Sequence, residues 1–184
     1  MSWFKKMEKE EDETLFKNEW ISVKVKDGWF HYCHNEKIDG HGVAVLGWRN
    51  SGDTLEILGR YENCPSHEDD IALCALTGGI DDKKGEASAL TYAQKELEEE
   101  SGISVSKDRF KSLGTVRPNK QSDSTAHLFE IELPDEEPAK NPKGDGSKGE
   151  IGAYCRWVSS EEAINCKDPL VHVMMLRLRG VHLK

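Results

Sequence analysis

The stretch from residue 78 to 103, GGIDDKKGEASALTYAQKELEEESGI, most constrains what this chain can fold into. A glycine pair opens it, a charged loop with a third glycine follows, and a glutamate-dense segment runs to Gly102. At about 100° per helical residue, Glu96, Glu99 and Glu100 share one face, while Glu98 points roughly the other way. Three carboxylates on one face repel each other and lower helix stability. A divalent cation that prefers oxygen ligands converts that cost into a site. A solvated acidic face is the ordinary meaning of a glutamate run. Here Leu90, Ala93 and Leu97 form an apolar stripe beside the carboxylates, so the glutamates border the core. Gly102 stops the helix in the manner of a C′ glycine.

The rest of the chain supplies mainly strands. Trp20–Lys26 alternates, and Trp29–Tyr32 resumes after Asp27-Gly28, a hairpin signal. Val43–Trp48 reads as a buried strand and Leu55–Tyr61 as its hairpin partner. Ala72–Thr77 is a short strand feeding the glycine pair, and the helix runs from about Glu86 to Ser101. Phe110–Val116, Ala126–Leu133 and Ile151–Val158 read as strands. Pro134–Gly149 is a long loop inside the domain, poor in apolar residues. Ser159/Ser160 with Glu161 and Glu162 opens a helix, and Pro169–Arg179 is a second, burying Leu170, Val173, Met174 and Leu178. Residues 1 to 14 read as a frayed, mixed-charge start. The order of elements predicts an α+β arrangement with mostly antiparallel strands.

The central stretch resembles the Nudix box, G-x5-E-x7-R-E-U-x-E-E-x-G-U with U aliphatic. The match runs from Glu96 to Ile103, with Lys95 where the pattern has Arg, and the loop before it is two residues longer, split around Glu86. The resemblance implies an α/β/α sandwich around a mixed, mostly antiparallel sheet. It divides the chain into an N-terminal extension with a β-hairpin (1–38) and a Nudix domain (39–184). ADP-ribose-pyrophosphatase-like members are the most similar, and in them an N-terminal antiparallel piece helps form a homodimer.

The implied activity is metal-dependent hydrolysis of the diphosphate linkage in a nucleoside diphosphate derivative, with ADP-ribose or a nucleotide sugar as the first substrate class. Mg²⁺, or Mn²⁺, is the implied cofactor. Glu96, Glu99 and Glu100 are the expected metal ligands, with main-chain oxygen at Gly79. Glu99, Glu100 and the late-loop Glu150 are the expected catalytic carboxylates, with Glu136 and Glu137 as alternatives to Glu150. Glu86 would brace the loop by pairing with Lys95. Arg60, Arg117 and Lys120 are the expected substrate contacts. For Arg60 the competing reading is a surface side chain snorkelling off its strand. Trp29, Trp48, Tyr61 and Trp157 could stack on a base, although strand aromatics are more often core.

Two other functions stay open from the sequence. One is a decapping or dinucleoside-polyphosphate hydrolase, for which Lys107–Lys120 and the C-terminal Arg177, Arg179 and Lys184 would have to converge. The other is a Nudix-fold module that binds a nucleotide without cleaving it. A net charge of −9 over 184 residues disfavours non-specific nucleic-acid or membrane attachment. No apolar run approaches a membrane span, and the charged N-terminus is unlike a signal peptide, so a cytoplasmic location is expected. Cys33, Cys64, Cys74, Cys155 and Cys166 are odd in number and scattered, which predicts reduced thiols. Cys64-x2-His67 and Cys33-His34 could each be half of a zinc site, but no C-x2-C pair completes one.

Overall fold

The computed structural model describes residues 12–66, 71–81, 86–140, 142, 144, 146 and 151–182, with the backbone alone at 86–88, 179, 181 and 182. Ten strands and three α-helices are described. In order they are β1 (Glu13–Lys17), β2 (Ile21–Lys26), β3 (Phe30–Asn35), β4 (His41–Ser51), β5 (Thr54–Glu62), β6 (Ala72–Cys74), β7 (Leu76–Gly79), α1 (Glu86–Ser101), β8 (Lys111–Val116), β9 (Thr125–Glu132), β10 (Tyr154–Ser159), α2 (Ser160–Ile164) and α3 (Pro169–His182).

The main sheet follows the order β10-β5-β4-β9-β8, with β6 beside β5 and β7 beside β4. The β4–β9 pair is parallel and the other pairs are antiparallel. Alternation along β4 builds both faces. Val43 and Val45 join one apolar cluster with Ala93 and Leu97 of α1. Ala44, Leu46 and Trp48 join the other, with Val171, Met174, Met175 and Leu178 of α3. Period-two side chains on a central strand therefore hold one helical layer on each face, and the molecule is an α/β/α sandwich.

Several sequence expectations need correction. Strand β1 begins at Glu13 and pairs with β2, so Glu13 and Thr14 are strand where the end of a frayed start was expected, and residues 1–11 of that stretch lie outside the described residues; the five strand residues are all exposed and carry no burial pattern. The strand expected over Ala72–Thr77 is two strands with different partners, broken at Ala75, whose N–H donates to Asp168 Oδ2 at 2.8 Å. The strand expected from Ile151 begins only at Tyr154, because Gly152 turns the chain with φ +82°. In α3 the buried stripe includes Val171 and Met175, with Leu170 and Val173 only partly buried at its margins.

The Asp27-Gly28 hairpin forms as expected, with both residues at positive φ and Lys26 opposite Phe30. The small β1-β2-β3 sheet is fastened to the 117–124 connection, where Cys33 N–H donates to Gln121 O at 2.8 Å and His34 Nδ1 lies 2.8 Å from Asp123 Oδ2. Leu15, Phe16, Trp20, Ile21 and Trp29 of this sheet are exposed.

Candidate active site

Helix α1 sets the site. Ala89, Ala93 and Leu97 are buried against the sheet at four-residue spacing, which fixes the rotation of the helix. Glu96 and Glu100, each three residues beyond a stripe member, are thereby turned along the sheet surface. Glu100 is 4% exposed, Glu96 and Glu99 are half-buried, and Glu98 is exposed, as the helical spacing predicts. Gly102, at φ +74°, ends the helix with its N–H on Glu98 O at 2.9 Å.

The glycine pair meets these carboxylates directly. A Cβ on Gly78 would stand 2.0 Å from the Glu96 carboxylate, so only glycine lets β7 and Glu96 approach this closely. A Cβ on Gly79 would instead strike Ile38 at 2.4 Å. One residue earlier, Thr77 N–H donates to Glu100 Oε2 at 3.1 Å.

Glu100 also faces Arg60 of β5. Arg60 Nε lies 3.2 Å from Glu100 Oε1 and donates to Glu62 Oε2 at 2.8 Å, and the residue is 2% exposed. Arg60 was expected either to touch substrate or to snorkel from the surface. Its burial rules out the surface reading, and its Nε is committed to two carboxylates, so its charge acts on the glutamates from beneath. Glu62 is a residue the sequence reasoning missed. Two positions apart on one strand place Arg60 and Glu62 on the same face, and that signal was available. On β10, the Cys155 thiol donates to Glu100 O at 3.4 Å, and burial pushes this thiol up to about 12.

Burial raises the Glu100 carboxyl well above the usual 4.5, and the charges of Glu96 and Glu62 push the same way. Arg60 and the Thr77 N–H pull it down without cancelling the rise. Three carboxylates, Glu62, Glu96 and Glu100, thus converge where Arg60 is the buried cation. An all-oxygen donor set of clustered carboxylates suits a hard divalent cation, so these residues fit Mg²⁺ or Mn²⁺.

Lys95 pairs with Glu99 one turn on, at 3.1 Å, where Glu86 was the expected partner. Glu86 has no described side chain, and Glu150 lies outside the described residues. The loop that leads to Glu150 is tied to the end of α1, with Ala139 N–H on Ser101 O at 2.8 Å and Gly144 N–H on Glu99 O at 3.0 Å. The alternatives to Glu150 are engaged elsewhere: Glu136 pairs with Arg109 and Glu137 with Arg49.

Arg117 and Lys120 are exposed in the connection between β8 and β9. The row Val116–Ala126–Gly42–Gly79 runs across four strands, so Arg117 leaves the sheet at the same end as the glycine pair. Three strand spacings put it about 14 Å away along that end. Trp48 is buried and donates to Glu130 at 2.6 Å, Tyr61 stacks on Tyr154 at 5.0 Å, and Trp157 lies beneath Arg49 at 4.2 Å. Trp29 is 72% exposed on the small sheet.

No protein-family model matches the sequence, and no curated protein does either. Solved structures do match. The NUDIX domain of Shewanella oneidensis NrtR, in a complex with ADP-ribose, aligns with a TM-score of 0.55 at 12% identity, over 78% of this chain and 88% of that one. The C-terminal domain of mouse MUTYH, in a complex with human PCNA, aligns with a TM-score of 0.54 at 14% identity, over 78% and 90%. A MutT/nudix family protein from Enterococcus faecalis aligns with a TM-score of 0.46 at 14% identity; the match covers 65% of this chain and spans only 43% of that protein. With its mixed sheet and two helical layers, this chain has the Nudix fold. No described helix is long and apolar enough to cross a membrane.

Proposed function

We propose that the chain is a divalent-metal-dependent hydrolase that cleaves the diphosphate linkage of a nucleoside diphosphate derivative, with ADP-ribose or a nucleotide sugar as the first substrate class. The observation that carries this reading is the packing of Glu96 against Gly78 and of Glu100 against Thr77 and Arg60. It brings two carboxylates of one helical face to the glycine turn of a Nudix fold, with Glu99 beside them on the same face. That the NrtR domain is bound to ADP-ribose supports a nucleotide ligand for the same fold.

In this reading Glu96, Glu99 and Glu100, with main-chain oxygen of Gly79, hold Mg²⁺ or Mn²⁺. When bound, the cation neutralises phosphate charge and makes a water acidic enough to attack at neutral pH. Arg60 and the Thr77 N–H hold the two oxygens of the Glu100 carboxylate against the sheet. Glu99, with a side chain 27% exposed, is open enough to take the water's proton, and Glu150 is the second candidate for that role. The water oxygen bonds to phosphorus, the bridging P–O bond breaks, and its electron pair leaves on the departing phosphate. A nucleoside monophosphate and a phosphorylated second group result. Arg117 and Lys120 would receive the anionic far end of the substrate, a role supported by Arg117 leaving the sheet at the glycine-pair end.

The capped-RNA alternative draws less support. Arg177 does meet the Lys107–Lys120 segment, donating to Leu113 O at 2.7 Å and to Thr115 O at 3.1 Å, but Lys184 lies outside the described residues and the net charge of −9 disfavours a polyanionic partner. The test is incubation with Mg²⁺ or Mn²⁺ and a panel of ADP-ribose, nucleotide sugars, NADH, nucleoside triphosphates, dinucleoside polyphosphates and capped RNA, with products resolved by chromatography. Turnover of ADP-ribose or a nucleotide sugar is expected. Measurable binding without turnover of any compound overturns the hydrolase reading in favour of a binding module.

A further inference from the structure

A second cluster lies on the other side of Arg60. Strand β5 ends at Glu62, Cys64 follows two residues later, and β6 brings Cys74 back beside Arg60 in register. Ligand atoms of Glu62, Cys64 and Cys74 all lie within 4.8 Å of one another. The two sulfurs are 3.8 Å apart, and neither cysteine is in a disulfide. All three residues are half-buried, so the site is screened but open to an ion from solvent.

The geometry points to a site for a soft divalent cation, zinc above all, with Cys64 Sγ, Cys74 Sγ and Glu62 carboxylate oxygen as ligands. Two thiolates each ~2.3 Å from a tetrahedral zinc stand about 3.8 Å apart, and that separation is already present here. A disulfide would need the sulfurs to close to ~2.05 Å and gives the carboxylate no role. Three protein ligands leave the fourth position to water. Thiolates select against Mg²⁺, so this site and the glutamate face of α1 take different metals.

The site has two consequences. It clips the start of the β5–β6 connection to the end of β6, four residues before the glycine turn at Gly78 and Gly79 begins. It also shares Glu62 with Arg60, whose other partner is Glu100. Glu62 is therefore a common element of the two sites.

The experiment uses the full chain, purified in reducing buffer, stripped with chelator and reloaded with zinc or with cobalt(II). A single zinc per chain and a thiolate-to-cobalt charge-transfer band are expected. Cys64→Ser and Cys74→Ser should each diminish the band and weaken zinc beyond the ~10–100-fold typical of losing a supporting contact, and the double variant should abolish the band. Glu62→Gln should weaken zinc while keeping the band. Cys166→Ser should change neither, which guards against general loss of fold. No stoichiometric zinc, no thiolate band, or equal zinc binding in the Cys64 and Cys74 variants would overturn the proposal. So would a Cys64–Cys74 disulfide found by mass spectrometry in reducing buffer. None of these readouts depends on diphosphate cleavage, so the two proposals stand or fall separately.

Discussion

Replacing Arg60 with Met removes the one cation between two carboxylates and leaves the apolar stem volume nearly unchanged. Glu100 is buried and its oxygen lies 3.2 Å from Arg60 Nε. Unit charges ~4 Å apart attract by about 4 kcal/mol at an effective dielectric near 20, and removing one partner of a buried pair typically costs ~3–5 kcal/mol. Glu62 is partly open to solvent, so its share is screened and small. The expected loss is therefore ~3–5 kcal/mol, about 10 °C in Tm for a domain of this size.

The loss has a pH signature. The folded-state carboxyl of Glu100 already stands well above 4.5, so the folded chain binds more protons than the unfolded one above that pH. Its contribution is fullest below the unfolded value and is lost as pH rises through the folded one. Without Arg60 the carboxyl rises further. Arg60→Met should thus cost less at pH 5 than at pH 8, because lower pH favours the protonated Glu100 that needs no cation beside it. Arg60→Met/Glu100→Gln should recover about 2 kcal/mol or more of the loss. Urea titrations at both pH values read the effect. A loss under ~1 kcal/mol at pH 8, or no recovery in the double variant, would refute the buried-brace reasoning.

Gly78→Ala puts a methyl into the Glu96 carboxylate, which is the flexible end of its side chain. Stability should change by less than about 1 kcal/mol while Mg²⁺ affinity and turnover fall at least tenfold, measured by calorimetry and product release; unchanged metal affinity would separate Glu96 from the site. Burial and hydrogen bonds to Glu162 and Asp12 raise Tyr61 and Tyr32 to about 12. Both should ionise late in an ultraviolet titration, and Tyr61→Phe should remove one late step; because these folded values exceed the unfolded one, their contribution to stability is full below pH 10 and is lost between about 10 and 12. Leu15, Phe16, Trp20, Ile21 and Trp29 are concentrated on the small sheet, a patch suited to a second copy of the chain. Light scattering should give a dimer that Phe16→Glu/Trp20→Glu converts to a monomer, and a wild-type monomer at high micromolar concentration would contradict it.

Much of the fold was legible because periodicity and stop signals agreed. Helix α1 runs over the expected Glu86–Ser101, since an apolar stripe sets its face and Gly102 sets its end. Strand β4 was readable from a continuous apolar run that serves both faces. The misses have tertiary causes. Strand β1 buries none of its residues, so alternation could not reveal it. The break at Ala75 depends on Asp168, far away in sequence.

Within the site, helical spacing placed Glu96, Glu99, Glu100 and the outward Glu98. The Lys95 partner was read as Glu86 from the box pattern, whereas Lys95 meets Glu99, its neighbour one helical turn on. Arg60 read as exposed because a polar residue near a strand end usually is. Its burial depends on β6 and β10 closing over β5, where Cys74 and Cys155 are its register partners. That closure is invisible along the chain.

The measurement closest to the central claim compares wild type with Glu100→Gln on ADP-ribose and a nucleotide sugar in Mg²⁺, with binding followed separately from product. The wild type should release AMP, or the corresponding nucleoside monophosphate, only when metal is present. Glu100→Gln should fold, bind nucleotide and lose turnover by orders of magnitude. A Glu100→Gln variant that cleaves at a near-normal rate would contradict the assignment of this carboxylate face as the catalytic metal site.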